Sequence, residues 1–136
     1  INEIVKYGME IAEVFSYFHN RKPPVYYGDL KPDNLMLGEN GRLYLIDLGG
    51  AVNGYKYQHK VCTGTNGFAA PEQYGLSQSD GRADIYALGV LLNIMLTGEH
   101  PSRKLASGRM GRIVQRCTMV NPEKRYKNIL HLMEVL

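Results

Sequence analysis

Asp29 and Asn34 stand five residues apart in the stretch Tyr26-Tyr27-Gly28-Asp29-Leu30-Lys31-Pro32-Asp33-Asn34, and a second acidic turn, Asp47-Leu48-Gly49, follows soon after. Oxygen donors of this kind suit a hard divalent cation such as Mg²⁺, which takes few ligands from protein. Asp29, Asn34 and Asp47 are therefore the residues to place in space.

A hairpin can bring them together. Leu35, Met36 and Leu37 form an apolar run, Gly38-Glu39-Asn40-Gly41 makes a reverse turn, and Arg42 to Ile46 returns as a second strand. In an antiparallel pair centred on that turn, Asn34 just before one strand and Asp47 just after the other share the open end, with Asp29 nearby. Upstream, Ile4, Ile11, Val14, Phe15 and Phe18 recur at helical spacing, which predicts an amphipathic helix over 2–20 stopped by Asn20, Pro23 and Pro24. His19 near its end reads as a capping or packing residue. Val25, Tyr26 and Tyr27 read as a short strand or extended lead-in to the loop.

Gly50 to Gln73 is irregular, rich in Gly, Asn, Thr and Tyr, and has no sustained period; loops of this length are functional or mobile. Asp80 or Ser79 can cap the next helix, predicted over 82–97 and closed by Gly98. Its apolar residues point in every direction, as in a buried central helix, so Asp84 near its start must be hydrogen-bonded. Further helices are predicted over 110–119 and 127–136, separated by the turn Asn121-Pro122-Glu123. The order is helix, hairpin, long loop and helices: mainly α with a small β-hairpin sheet, an α+β class.

Composition narrows the function classes. With 136 residues, 44% hydrophobic and 21% charged, the chain has one globular domain's worth of protein and no disorder signature. Its longest apolar run is too short for a membrane span. The net charge of +3 is spread along the chain, so no nucleic-acid partner is expected. Cys62 and Cys117 form no CxxC unit and read as ordinary thiols of a reducing compartment.

Across nearly its whole length the chain resembles the C-terminal lobe of a eukaryotic-like Ser/Thr protein kinase. Tyr27-Gly28-Asp29-Leu30-Lys31-Pro32-Asp33-Asn34 is similar to the catalytic loop, Asp47-Leu48-Gly49 to the metal-binding turn, and Ala70-Pro71-Glu72 to the end of the activation segment. Asp84-Ile85-Tyr86-Ala87-Leu88-Gly89 resembles the start of the buried central helix, and Asn121-Pro122-Glu123-Lys124-Arg125-Tyr126 a late turn of that lobe. The resemblance implies ATP and Mg²⁺ as cofactors, a protein substrate, Asp29 as base, Lys31 beside the transferred phosphoryl group, and Asn34 and Asp47 on the metal. It further implies that Thr65 hydrogen-bonds Asp29 and Lys31, that Glu72 pairs with Arg125, that Asp84 anchors the catalytic loop, and that Met36, Leu91 and Met95 lie beneath the adenine.

Departures from the family pattern accompany the match. Tyr27-Gly28 replaces the family's His-Arg, as in non-RD kinases, so phosphorylation of Thr63 or Thr65 is not expected to act through an arginine at that place. Leu48 replaces the usual Phe. The stretch from Gly98 to Met110 is too short for the family's extra helix, which puts substrate docking there in question. The chain opens on Ile1, with no glycine-rich loop, strand lysine or helix glutamate, so the whole of 1–136 reads as a partial domain lacking its N-terminal ATP-covering lobe. Alone it is expected to bind nucleotide weakly and catalyse little. The wording GTNGFAAPEQY resembles bacterial members of the family, which implies a bacterial signalling protein. A pseudokinase or docking module, and a small-molecule phosphotransferase of the aminoglycoside or choline kinase type, are the alternatives.

Overall fold

Which faces the helices can bury decides the architecture. The computed structural model describes residues 2–46, 52–53, 67–74 and 80–136. Helix α1 (Asn2–His19) buries Gly8, Ile11, Ala12 and Phe15 along one stripe and exposes Glu3, Lys6, Glu13 and Tyr17. It ends one residue before the predicted boundary.

The hairpin forms with strands β2 (Leu35–Leu37) and β3 (Leu43–Leu45), after a two-residue β1 (Val25–Tyr26). Leu35 faces Leu45, Met36 faces Tyr44 and Leu37 faces Leu43. The turn closes by hydrogen bonds from Gly38 N to Arg42 O at 2.8 Å and from Gly41 N to Gly38 O at 2.9 Å. β3 is shorter than the predicted Arg42 to Ile46. The region read as irregular contains strand β4 (Val52–Asn53), which pairs antiparallel with β1. Two residues are too few to display a period of two, so this strand leaves no pattern in the sequence.

Helix α2 (Gly81–Thr97) is the centre. Ten of its residues are buried, from Ala83 to Asn93, and α1, α3 (Gly108–Cys117) and α4 (Ile129–Val135) pack around it. Leu88 and Leu92 are fully buried, each worth about 2 kcal/mol of hydrophobic stabilisation. At Gly89 the two helices approach tightly: a Cβ there would lie 2.4 Å from Cys117 Cβ. Asp80 caps α2 by accepting from Arg82 N at 2.9 Å, and Gly98 closes it. α3 starts two residues before its predicted position because Ser107 takes the extended N-cap place ahead of polar Gly108 and Arg109, which the apolar pattern does not mark. α4 is shorter than predicted, since Asn128 caps it by accepting from His131 N at 2.9 Å.

Between α2 and α3 the chain forms a loop without a helix. Asn93, fully buried, holds it: its Nδ2 donates to Glu99 O at 2.9 Å and Lys104 O at 2.7 Å, and its Oδ1 accepts from Ala106 N at 2.8 Å. The result is a mainly helical protein with small two-stranded antiparallel sheets, the class expected from the sequence. Among the described residues, no helix is long and apolar enough to cross a membrane.

Candidate functional site

The loop carrying Asp29 is held from below by α2. The buried Asp84 carboxylate accepts from Tyr27 N at 2.9 Å through Oδ2 and from Gly28 N at 2.8 Å through Oδ1. Two successive backbone amides on one carboxylate fix the direction in which the loop leaves β1. Gly28 has φ 78, a left-handed conformation that side chains resist, and it turns the chain so that Asp29 follows at the surface. Leu30, fully buried, then plugs the loop into the core.

His19 completes the carboxylate's set of partners, with Nε2 2.8 Å from Asp84 Oδ2. Its ring stacks on Phe15 at 5.6 Å and meets Tyr26 edge-on at 5.3 Å. A Cβ on Gly81 would come within 2.7 Å of its Nδ1, so the bare glycine makes room for the imidazole. Capping and packing were the expected roles for His19; the bond to a residue 65 positions away has no local sequence signal. Burial raises the Tyr26 phenol above its ordinary value, and the negative charges of Asp80 and Asp84 add to this. Burial also pulls the Asp80 carboxyl up, but the hydrogen bonds and charge of Arg82 outweigh it and hold the group below its ordinary range.

Asp29, Lys31 and Asn34 come together. Lys31 Nζ lies 3.8 Å from Asp29 Oδ2, both side chains being partly exposed. The turn Pro32–Asn34 brings the chain back so that Asn34 Nδ2 donates to Asp29 O at 2.8 Å. With its nitrogen committed there, the Asn34 amide keeps its oxygen for another partner. Asn34 O accepts from Ile46 N at 3.0 Å, so the strand that leads to Asp47 ends beside Asn34. Asp47 itself lies outside the described residues, as do Thr65, Thr63, Leu48 and Cys62.

The expected adenine floor is divided. Met36 sits on the hairpin with 56% of its surface exposed, Leu91 is in the core, and Met95 is partly buried against it. Glu72, in the turn Pro71–Tyr74, meets Arg125 at 2.7 Å and 2.8 Å. The next residue, Gln73, was not singled out in the sequence, yet its buried side chain donates from Nε2 to Gly28 O at 3.0 Å and accepts at Oε1 from Ala70 N at 2.8 Å. His100 also joins the end of this segment, with Nε2 2.8 Å from Gly67 O. A cavity of about 270 Å³ bordered by His19, Tyr26, Arg82 and Asn128 has none of Asp29, Lys31 or Asn34 in its walls and is not part of this site.

The family described as "Protein kinase domain" matches residues 1–134. CBL-interacting serine/threonine-protein kinase 20 of Arabidopsis thaliana is 40% identical over 102 residues, 71% of this chain and 23% of that protein. Serine/threonine-protein kinase pkpA of Phycomyces blakesleeanus is 36% identical over 104 residues, 74% of this chain and 16% of that protein. G protein-coupled receptor kinase 2 of Caenorhabditis elegans is 37% identical over 103 residues, 75% of this chain and 14% of that protein. The chain thus spans less than a quarter of the length of each of these relatives. A loop that gathers carboxylate, lysine and amide on a buried aspartate, closed by an ion pair at the segment that follows, agrees with a match over almost every residue: the chain belongs to the protein kinase domain family and is related to Ser/Thr protein kinases.

Proposed function

We propose that this chain is the C-terminal lobe of a Ser/Thr protein kinase and that, in the full-length protein, it transfers a phosphoryl group from ATP to hydroxyl groups of a protein substrate. One arrangement carries the reading: Asn34 is tied to the carbonyl of Asp29 while Lys31 stands beside the Asp29 carboxylate. Base, cation and metal-binding amide are thereby held on one short turn.

When bound, Mg-ATP supplies the transferable phosphoryl group and the cation that neutralises its oxygens. The residues present fit that group, because the Asn34 amide nitrogen is occupied and its oxygen is the kind of ligand Mg²⁺ takes. Asp47 is the proposed second protein ligand. Asp29 accepts the hydrogen bond of the substrate hydroxyl and orients it for attack, and Lys31 keeps positive charge where negative charge develops. Thr65 is the proposed partner of both. Met36 offers an exposed apolar side chain to a planar base.

Gly28 leaves no arginine before Asp29, which supports a kinase of the non-RD kind, acting in the cytoplasm. A bacterial signalling role gains no support from the three relatives, which are plant, fungal and animal proteins. Acting alone, the 136-residue chain should bind Mg-ATP weakly, and micromolar affinity by calorimetry would count against this.

The test is phosphate transfer to casein by the full-length protein with Mg-ATP. Asp29→Ala should lower the rate by roughly 100-fold or more, and removal of Mg²⁺ should abolish it. Binding of Mg-ATP without any transfer would replace the enzyme reading with that of a docking module.

A further inference from the structure

The backbone of Gly28 is gripped on both sides of its Cα. Its N–H is held by Asp84 from α2, and its C=O is held by Gln73 from the turn at the end of the activation segment. Gln73 is 5% exposed and uses both ends of its amide, because Ala70 N on one side requires an acceptor and Gly28 O on the other requires a donor. That demand also sets which way round the amide lies. No carboxylate, hydrocarbon or lysine of similar size satisfies both. The turn that carries Gln73 is itself braced, since Gln73 N donates to Ala70 O at 2.9 Å and the preceding Glu72 is paired with Arg125.

We propose that Gln73 is a positioning residue for the catalytic loop, and that its hydrogen bond to Gly28 couples the end of the activation segment to Asp29 without any added charge. The carbonyl it holds belongs to the peptide that joins Gly28 to Asp29. Rotation of that peptide would swing the Asp29 backbone, to whose own carbonyl Asn34 is tied. Gly28 has no side chain, so it is held through its backbone alone, by the Asp84 carboxylate at its N–H and by the neutral Gln73 amide at its C=O. The regulatory consequence is that the loop is held in place before any phosphorylation. This inference rests on the kinase reading above for its effect on rate, but the clamp itself can be observed independently.

The discriminating variant is Gln73→Glu in the full-length protein, assayed with Mg-ATP and casein. Glu keeps an oxygen for Ala70 N and loses the donor to Gly28 O, placing two oxygens against each other. At about pH 8 kcat should fall by roughly 10-fold or more with KM for casein within about twofold, because positioning is lost and substrate binding is not. Below about pH 6 the variant should regain rate relative to wild type, since burial beside a carbonyl favours the protonated acid, whose O–H can donate to Gly28 O. A side chain that only filled space would show no such pH profile. In parallel, amide hydrogen exchange at Gly28 and Asp29 should speed up in the variant at the higher pH and slow again at the lower, relative to wild type. If Gln73→Glu does not fold, Gln73→Met replaces it, with accelerated exchange at the same two amides as the expected result.

Phosphatase treatment of the wild-type protein should leave its rate within about twofold, since neither the Gln73 nor the Asp84 contact to Gly28 involves a phosphate. Unchanged kcat and unchanged exchange in the variants would overturn the proposal, and so would a wild-type rate that collapses on dephosphorylation. If wild type transfers no phosphate at all, the kinase reading fails, while exchange at Gly28 and Asp29 still decides whether Gln73 holds the loop.

Discussion

Arg125 points both of its terminal nitrogens at Glu72, with Nη1 2.7 Å from Oε2 and Nη2 2.8 Å from Oε1. Its remaining donors go to backbone carbonyls: Nε to Met119 O at 2.8 Å, Nη1 to Arg82 O at 2.9 Å and Nη2 to Val120 O at 3.3 Å. The guanidinium also lies over the Tyr86 ring at 5.0 Å. One buried side chain therefore joins the turn Pro71–Tyr74, the start of α2 and the turn after α3. Such a pair is held by geometry as much as by charge, because the planar fork matches a carboxylate edge.

Removing the guanidinium should leave the largely enclosed Glu72 carboxylate without its ion-pair partner. Arg125→Met is expected to cost roughly 3–5 kcal/mol in chemical denaturation, and Arg125→Lys to recover only part of this because a single ammonium cannot replace the fork. Arg125→Met combined with Glu72→Met should be less damaging than Arg125→Met alone. Equal losses in the single and the double variant would show that the packing around Arg125, and not the pair, carries the stability.

Asp84 accepts three hydrogen bonds on two oxygens, from Tyr27 N, Gly28 N and His19 Nε2. Asp84→Asn turns one oxygen into a donor that faces another donor. A loss of roughly 2–3 kcal/mol is expected, with faster hydrogen exchange at Tyr27 and Gly28. His19→Ala removes one partner and leaves both loop contacts, so exchange there should change less. Exchange rates unaltered in Asp84→Asn would remove the carboxylate from its anchoring role.

Burial pushes the Cys117 thiol up to about 12. The folded state therefore keeps a proton that the unfolded chain loses at ordinary thiol values. Stability from this group is complete below about pH 9 and declines as pH rises from there toward 12, by at most about 1.4 kcal/mol per pH unit. Cys117→Ala should flatten that part of the alkaline stability curve. In the native protein at neutral pH, mass mapping after iodoacetamide should find Cys117 unmodified, and labelling at the rate of an unfolded thiol would contradict its burial.

Much of the fold was legible in local pattern. Phe15 and Ile11 mark the buried stripe of α1, the run from Ile85 to Leu92 marks a helix with no solvent face, and Asn40-Gly41 marks the hairpin turn. Each signal repeats within a few residues, at the period of the element that it builds. The two-residue β4 and the start of α3 were not legible, since one is too short to repeat and the other begins on polar residues. Of the residues singled out by type and spacing, Asp29, Lys31 and Asn34 stand together, while Asp47 and Thr65 lie outside the described residues.

By itself the sequence determined where oxygen donors and a lysine stand close together along the chain, and which helices had to be buried. Only the tertiary structure decided what holds those residues still. His19 reaches Asp84, Gln73 reaches Gly28 and Asn93 reaches the backbone from Glu99 to Ala106. The physical reason is that a buried polar side chain is placed by the unpaired backbone groups around it, and those groups come from segments that folding alone brings together.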